Sequence, residues 1–337
     1  MNLSMWRKAL TVIPNITKAE WDQLDTISRW LISTRAAVLV MTALSAALAG
    51  LFAWRDNSFA LLPWIALMLG LVLAHASNNL LNDYVDFARG VDQKNYFRAM
   101  YGPHPLKDQL LGKRQHLTYF GITVLLAFAC GLYLMYHNGH DPQGWFLLGA
   151  GAFLLLFYTW PLKYIALGEI AVFLVWGPLM VGGGYFVLTG HWSAEVMLVG
   201  VIYAFGVTTV IFGKHIDKIT VDKEKRIHTL PVLLGEKLSR YTVIGMMIIP
   251  YFLVLYLIIA KGFSPALLVT VLAIPRLRQI MTAFLQPKPK ERPEGFPDGQ
   301  GGWPLYFAPL AFVYNRTFGS LFFLGLLADV ILKKLLT

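Results

Sequence analysis

The 337 residues are 56% hydrophobic and 14% charged, with a formal net charge of +10 and a mean hydropathy of +0.55. A soluble domain carries about 25% charged residues, so this chain has too few ionic side chains to cover a water-facing surface. That composition excludes a soluble enzyme, a nucleic-acid binder and a disordered chain, and the one cysteine, Cys130, leaves neither a disulfide framework nor a thiolate metal site.

Residues 1–30 lack the apolar core of a secretory signal. Within them, 17–30 read as an amphipathic, cytoplasmic lead-in helix with Trp21, Leu24, Ile27 and Leu31 on one face. A membrane span needs about 20 predominantly apolar residues. Stretches 36–54, 59–81, 117–136, 144–162, 196–213 and 241–260 contain no Asp, Glu, Lys or Arg, and 165–190 contains only Glu169. A shorter apolar stretch runs over 262–275, and a last one over 317–332 carries Asp329. The expected fold is therefore all-α: a single polytopic membrane domain over 1–337 with nine spans. Between the last two spans, 286–316 reads as a flexible cytoplasmic loop, in which 303–314 is apolar but too short to cross.

Charge sets the orientation. With nine spans, 25 of the 29 Lys and Arg fall on the side of the N-terminus, and only Arg55, Lys261, Lys333 and Lys334 on the other. The positive-inside rule puts the N-terminus in the cytoplasm and the C-terminus outside. The excess positive charge then faces anionic lipid and an anionic substrate rather than nucleic acid.

Two cytoplasmic loops carry the chemistry. NNLLNDYVDFARGVD, residues 78–92, places Asn82, Asp83 and Asp86 near one helix face, with Asp92 just beyond Gly90. Carboxylates so close repel one another unless cations lie between them. Oxygen-only ligands suit Mg²⁺, which favours one or two carboxylates plus substrate phosphates. GKHIDKITVDKEKRIHTLPVLLG, residues 213–235, sets Asp217 and Asp222 among Lys214, Lys218, Lys223, Lys225 and Arg226. Carboxylates interleaved with bases can grip a diphosphate through a metal; a loop whose charges only fix topology is the alternative. Lys163 is the sole base of YTWPLKYIALGE, residues 158–169, flanked by Tyr158 and Tyr164. A lysine snorkelling to the interface is its plainer explanation. His75 reads first as a buried, hydrogen-bonded histidine.

Taken in order, these motifs resemble those of the UbiA superfamily of intramembrane prenyltransferases. Asn82, Asp86 and Asp92 match its first Asp-rich motif, and DKITVDKEKRIHTLPVLLG resembles the second. YTWPLKYIALGEIAVFLVWGPL resembles the branch that prenylates 1,4-dihydroxy-2-naphthoate in menaquinone synthesis, although Trp160 and Pro161 stand where that branch has a glycine pair. The resemblance covers about residues 30–285. It implies nine helices around a lipid-open central cavity in a bacterial inner membrane. It also implies Mg²⁺-dependent transfer of a polyprenyl group from its diphosphate to an aromatic acceptor. Asp83, Asp86, Asp92, Asp217 and Asp222 would hold metal. Asn82, Arg98, Lys223, Arg226 and Tyr158 would bind diphosphate and prenyl chain, and Asp86, Asp222 and Lys163 would be catalytic. Asp217 and Asp222 lie five apart, about 140° around an ideal helix, so both can face one cavity only if the backbone unwinds between them. A membrane terpene cyclase would use the same metal site. A transporter would put its ionisable groups near the midplane instead.

Overall fold

The computed structural model describes residues 2–92, 97, 100–298 and 302–336. Among these every regular element is helical. Three short helices lead in: α1 (Leu3–Thr11), α2 (Lys18–Asp22) and α3 (Thr26–Ser33). The bundle follows with α4 (Val40–Arg55), α5 (Leu61–Ala88), α6 (Lys113–His137) and α7 (Pro142–Phe157). Then come α8 (Gly168–Thr189), α9 (Ala194–Asp217), the one-turn α10 (Ile219–Glu224), α11 (Leu230–Lys261), α12 (Pro265–Leu285) and α13 (Phe307–Leu336).

Seven of these, α4 (with Ala36–Val38 before it), α5, α6, α8, α9, α11 and α12, are long and apolar enough to cross a membrane. The expectation of nine is thus met only in part. α7 has 16 residues, too short for the length it was expected to have, because the chain turns at Tyr158 rather than at residue 162. α13 is 30 residues long but carries Arg316, Asp329, Lys333 and Lys334.

Three boundaries differ from the sequence reading. The lead-in is two helices, not one: Asp25 accepts the backbone N–H groups of Ile27 and Ser28 and starts α3 afresh. Trp21 and Leu31 stay buried, while Ile27 is 46% exposed. The shorter apolar stretch expected over 262–275 extends as α12 to Leu285, which takes Arg276 and Arg278 out of the loop. The loop expected over 286–316 ends at Tyr306, because 307–314 forms the first two turns of α13.

The main core lies among α4, α8, α9, α11, α12 and α13, around Phe52, Val181, Tyr203, Met247, Phe318 and Phe322. Helices meet through small residues where no hydrophobic drive separates protein from lipid. A Cβ on Gly177 would lie 2.8 Å from the carbonyl of Gly200, and one on Gly200 would lie 2.9 Å from the carbonyl of Gly177. α6 and α7 leave Ile122, Leu126, Phe146 and Phe153 exposed, as lipid-facing helices do. A cavity of about 960 Å³ lies between α5 to α8 on one side and α4, α9 and α13 on the other. At the end of the bundle away from the Asp motifs, the Tyr185 hydroxyl donates to Asp56 Oδ2 at 2.6 Å and Arg55 pairs with Asp56 at 2.7 Å.

Candidate active site

The cavity is apolar along most of its length. Asn78, Asn82, Tyr158 and Lys214 line it where it nears the Asp motifs. α5 brings the first motif to this mouth. Asp86 sits one turn from the end of α5 and is 8% exposed. Lys163 donates from Nζ to both of its carboxylate oxygens at 2.8 Å. Lys163 is also 8% exposed, which rules out a lysine snorkelling to water. The turn that follows α7 aims it: the Lys163 amide donates to the Tyr158 carbonyl, and a Cβ on Gly168 would lie only 3.3 Å from the Lys163 Cα.

The expected grouping of Asp83 with Asp86 gives way to separate partners. Asp83 pairs with Arg35 at 3.1 Å, and the same Nη2 of Arg35 donates to the Asn79 carbonyl. Asp83 thereby ties α5 to the start of the first membrane helix. Three residues apart, Asp83 and Asp86 point about 60° from each other around the helix, enough to turn Asp83 toward Arg35 while Asp86 faces Lys163. Asp92 pairs with buried His104 at 3.0 Å, a partner that sequence spacing did not suggest.

The second motif is divided as well. Asp217 ends α9, and its oxygens accept the backbone N–H groups of Tyr306, Phe307 and Ala308 at 3.0, 3.2 and 3.0 Å. Lys288 lies 3.4 Å away. The acid thus caps α13, where free N–H groups and the positive end of the helix dipole favour a carboxylate. Its expected role as a metal ligand does not fit that placement, since its oxygens are already taken up.

Asp222, on α10, is 1% exposed and pairs with Lys218 at 3.2 Å. Among the described residues its Oδ2 has no hydrogen-bond partner, and neither has Asn82 Oδ1. Lys225 crosses to the first motif and donates to the Val91 carbonyl. Burial lowers the Lys225 pKa and the charge of Lys218 adds to that, while the charges of Asp92, Asp222 and Asp86 oppose it. Lys223 and Arg226 are exposed, and the base of this motif that pairs with Asp222 is Lys218. Arg98 lies outside the described residues.

Further residues that the sequence reading left undecided or unnamed complete the site. Glu169 reaches His215 Nδ1 at 2.5 Å and accepts the Leu230 amide, so it locks α8 to α9 and to the start of α11. The His228 amide donates to the Tyr164 carbonyl at 3.3 Å and joins the Lys163 turn to the second motif. Arg89 stacks over Trp160 and Tyr164 at 5.3 and 5.1 Å, and Lys214 lies 5.1 Å from the Tyr101 ring. Burial raises the Tyr164 pKa, and the Asp86 charge adds to that, so its hydroxyl stays protonated.

No three acidic, His or Cys side chains among the described residues already form a metal cage. The donor set still fits a hard cation held partly by substrate. Two buried oxygen acceptors, one from each motif, find no partner among the described residues, and Mg²⁺ commonly takes only one or two protein carboxylates alongside phosphate oxygens.

A model of the UbiA prenyltransferase family matches residues 43–296, three quarters of the length and both motifs. The chain belongs to the UbiA prenyltransferase family. It is 28% identical over 224 residues to UbiA prenyltransferase domain-containing protein 1 of Danio rerio, covering 65% of this chain and 64% of that one. The homologue of Drosophila melanogaster is 27% identical over 257 residues, 74% of this chain and 68% of its own length. The Homo sapiens protein is 26% identical over 214 residues, 61% and 60%. The chain thus spans under two thirds of the length of the first of these relatives. A solved UbiA homologue from Archaeoglobus fulgidus, determined with Cd²⁺ bound, superposes with a TM-score of 0.53 at 14% identity, over 86% of this chain and 97% of that one. At that identity the likeness shows the shared UbiA fold. The relatives carry the name of the animal proteins, so the expected naphthoate branch and bacterial membrane do not follow from them.

Proposed function

We propose that this UbiA-family chain moves a polyprenyl group from an isoprenyl diphosphate to an aromatic acceptor at the mouth of its cavity. The observation that carries the reading is the buried Lys163–Asp86 pair beside the partnerless oxygens of Asn82 and Asp222, at one end of an apolar cavity of about 960 Å³. The cavity's size and lining suit an isoprenoid chain, and the bases suit its diphosphate. Lys163, Lys218 and Lys225 neutralise the leaving group as the C1–O bond breaks. An interaction that strengthens as charge develops lowers the barrier itself. Mg²⁺, held by Asp86, Asp222 and Asn82 with Asp92 close by, would add further charge neutralisation there. The acceptor's ring carbon then bonds to C1, and one ring proton is released. Tyr158 and Trp176 line the cavity and offer π faces to the allylic cation.

Nine spans, counting α7 and α13, put both motifs on the cytoplasmic side together with the N-terminus. A hydroxynaphthoate is the first acceptor to try, on the strength of residues 158–169 alone. The test is to incubate purified protein with labelled polyprenyl diphosphates, a panel of aromatic acceptors and Mg²⁺. The expected product is an acceptor-linked prenyl group whose formation stops with EDTA and returns with Mg²⁺. Full activity in chelator would overturn the metal-diphosphate mechanism. A cyclised hydrocarbon without acceptor would favour the terpene cyclase instead.

A further inference from the structure

One polar group lies far from the diphosphate end of the cavity. His75, Asn78 and Asn82 occur at i, i+3 and i+7 of α5, and all three line the cavity. His75 therefore lies about 10 Å deeper than Asn82. Its Nδ1 is 2.8 Å from Thr42 Oγ1 on α4, and Thr42 is fully buried. Its ring meets Trp176 edge-on at 5.1 Å between centroids. No described residue hydrogen-bonds Nε2.

The wall opposite is built irregularly. α8 changes from α to π geometry over Val175–Gly183, where Pro178 removes one helix donor. π segments in helices are frequent at functional sites. This one carries Trp176, Leu179, Met180 and Gly183 into the cavity wall. Ser45 holds the turn by donating to the Trp176 carbonyl at 3.2 Å, and the buried Trp176 indole N–H finds no acceptor among the described residues. An oriented imidazole and an unused donor thus meet in a cavity that is otherwise apolar, where an unsatisfied polar group is costly.

We propose that His75 is a catalytic base for a hydroxyarene acceptor, taking the hydroxyl proton at Nε2 while the Trp176 N–H holds the same oxygen. This rests on the transfer reading above. With the diphosphate at Lys163 and the prenyl C1 near Asn82, a ring set below C1 carries its far hydroxyl to the depth of His75. The C1–O bond breaks and its electron pair leaves with the diphosphate. The ring carbon ortho or para to the hydroxyl gives its π pair to C1, and the hydroxyl proton passes to His75, leaving a neutral dienone. The ring proton at the substituted carbon then leaves to the diphosphate. The proton on His75 returns to the oxygen and the ring is aromatic again.

The test compares wild type with His75→Gln and Thr42→Val, using a series of acceptors with progressively more acidic hydroxyls. His75→Gln keeps a polar group of similar reach but cannot take the proton. Its kcat with the least acidic acceptor is expected to fall about a hundredfold or more, with the KM for prenyl diphosphate unchanged. The ratio of wild type to variant should shrink toward one as the acceptor hydroxyl becomes acidic enough to ionise unaided. Thr42→Val leaves the ring in place without its anchor and should show the same trend with a smaller loss, which keeps the test open if His75→Gln does not fold. An unchanged kcat, or a loss of equal size across the series, would overturn the role of His75. Wild-type protein that prenylates no aromatic acceptor would instead overturn the transfer reading.

Discussion

Asp86 and Lys163 form a buried ion pair, and the energetics of such pairs are asymmetric. Removing one member leaves an uncompensated charge and typically costs about 3–5 kcal/mol. Lys163→Met should therefore lower the melting temperature in metal-free detergent. Added Mg²⁺ should restore part of the loss by taking the lysine's place at Asp86, and a melting curve with and without Mg²⁺ checks this. Asp86→Asn keeps the shape and should cost at least about 3 kcal/mol of transition-state stabilisation, roughly a hundredfold in turnover. Asp222 and Asp217 should separate cleanly. Asp222→Asn removes charge beside a partnerless oxygen at the site and should match Asp86→Asn. Asp217→Asn weakens the cap of α13 and its contact with Lys288, at a cost of about 1–3 kcal/mol in stability. Its turnover per folded molecule should stay near wild type. Equal turnover losses for the two Asn variants would return Asp217 to the site.

The elements are held in register by close backbone contacts and by caps. α8 and α9 touch at Gly177 and Gly200, where each backbone leaves no room for a side chain on the other. Gly200→Ala should force the helices apart and cost about 1–3 kcal/mol, read as a lower melting temperature. Because α8 carries Glu169 and Trp176 while α9 carries His215 and Lys214, the same change should also reduce turnover. A melting temperature equal to wild type would mean that α8 shifts freely against α9. Periodicity made the existence of these helices legible. It could not supply the π segment of α8, which depends on Pro178 and on the carbonyl contact from Ser45. Nor could it place the start of α13: residues 303–314 looked too short to cross, because the helix continues through polar Asn315 and Arg316.

For the whole molecule, nine spans would divide the Lys and Arg 25 to four, and a reporter fused after the last residue of α13 should then read out on the non-cytoplasmic side. A cytoplasmic signal would mean an even number of crossings and would place the two ends of the chain together. The bundle keeps the carboxylates and lysines of its two Asp motifs at one end of the cavity, whereas a transporter's ionisable groups are expected near the midplane. That separation makes sense for a reaction that needs an ionic leaving-group site next to a dry chamber, since low dielectric strengthens every charge interaction at the boundary.

The chain by itself determined that it is a helical membrane protein, and its motif spacing brought Asn82 and Asp86 to one helix face. Composition, run length and motif spacing are local properties, and they are sufficient for that. Which carboxylate meets which partner was decided by tertiary structure alone. Asp83 turned to Arg35, Asp92 to His104 and Asp217 to the N-terminus of α13, because each acid is drawn to whatever donor another helix brings within about 3 Å. Those donors come from segments up to 91 residues away, a separation at which spacing along the sequence carries no geometric information.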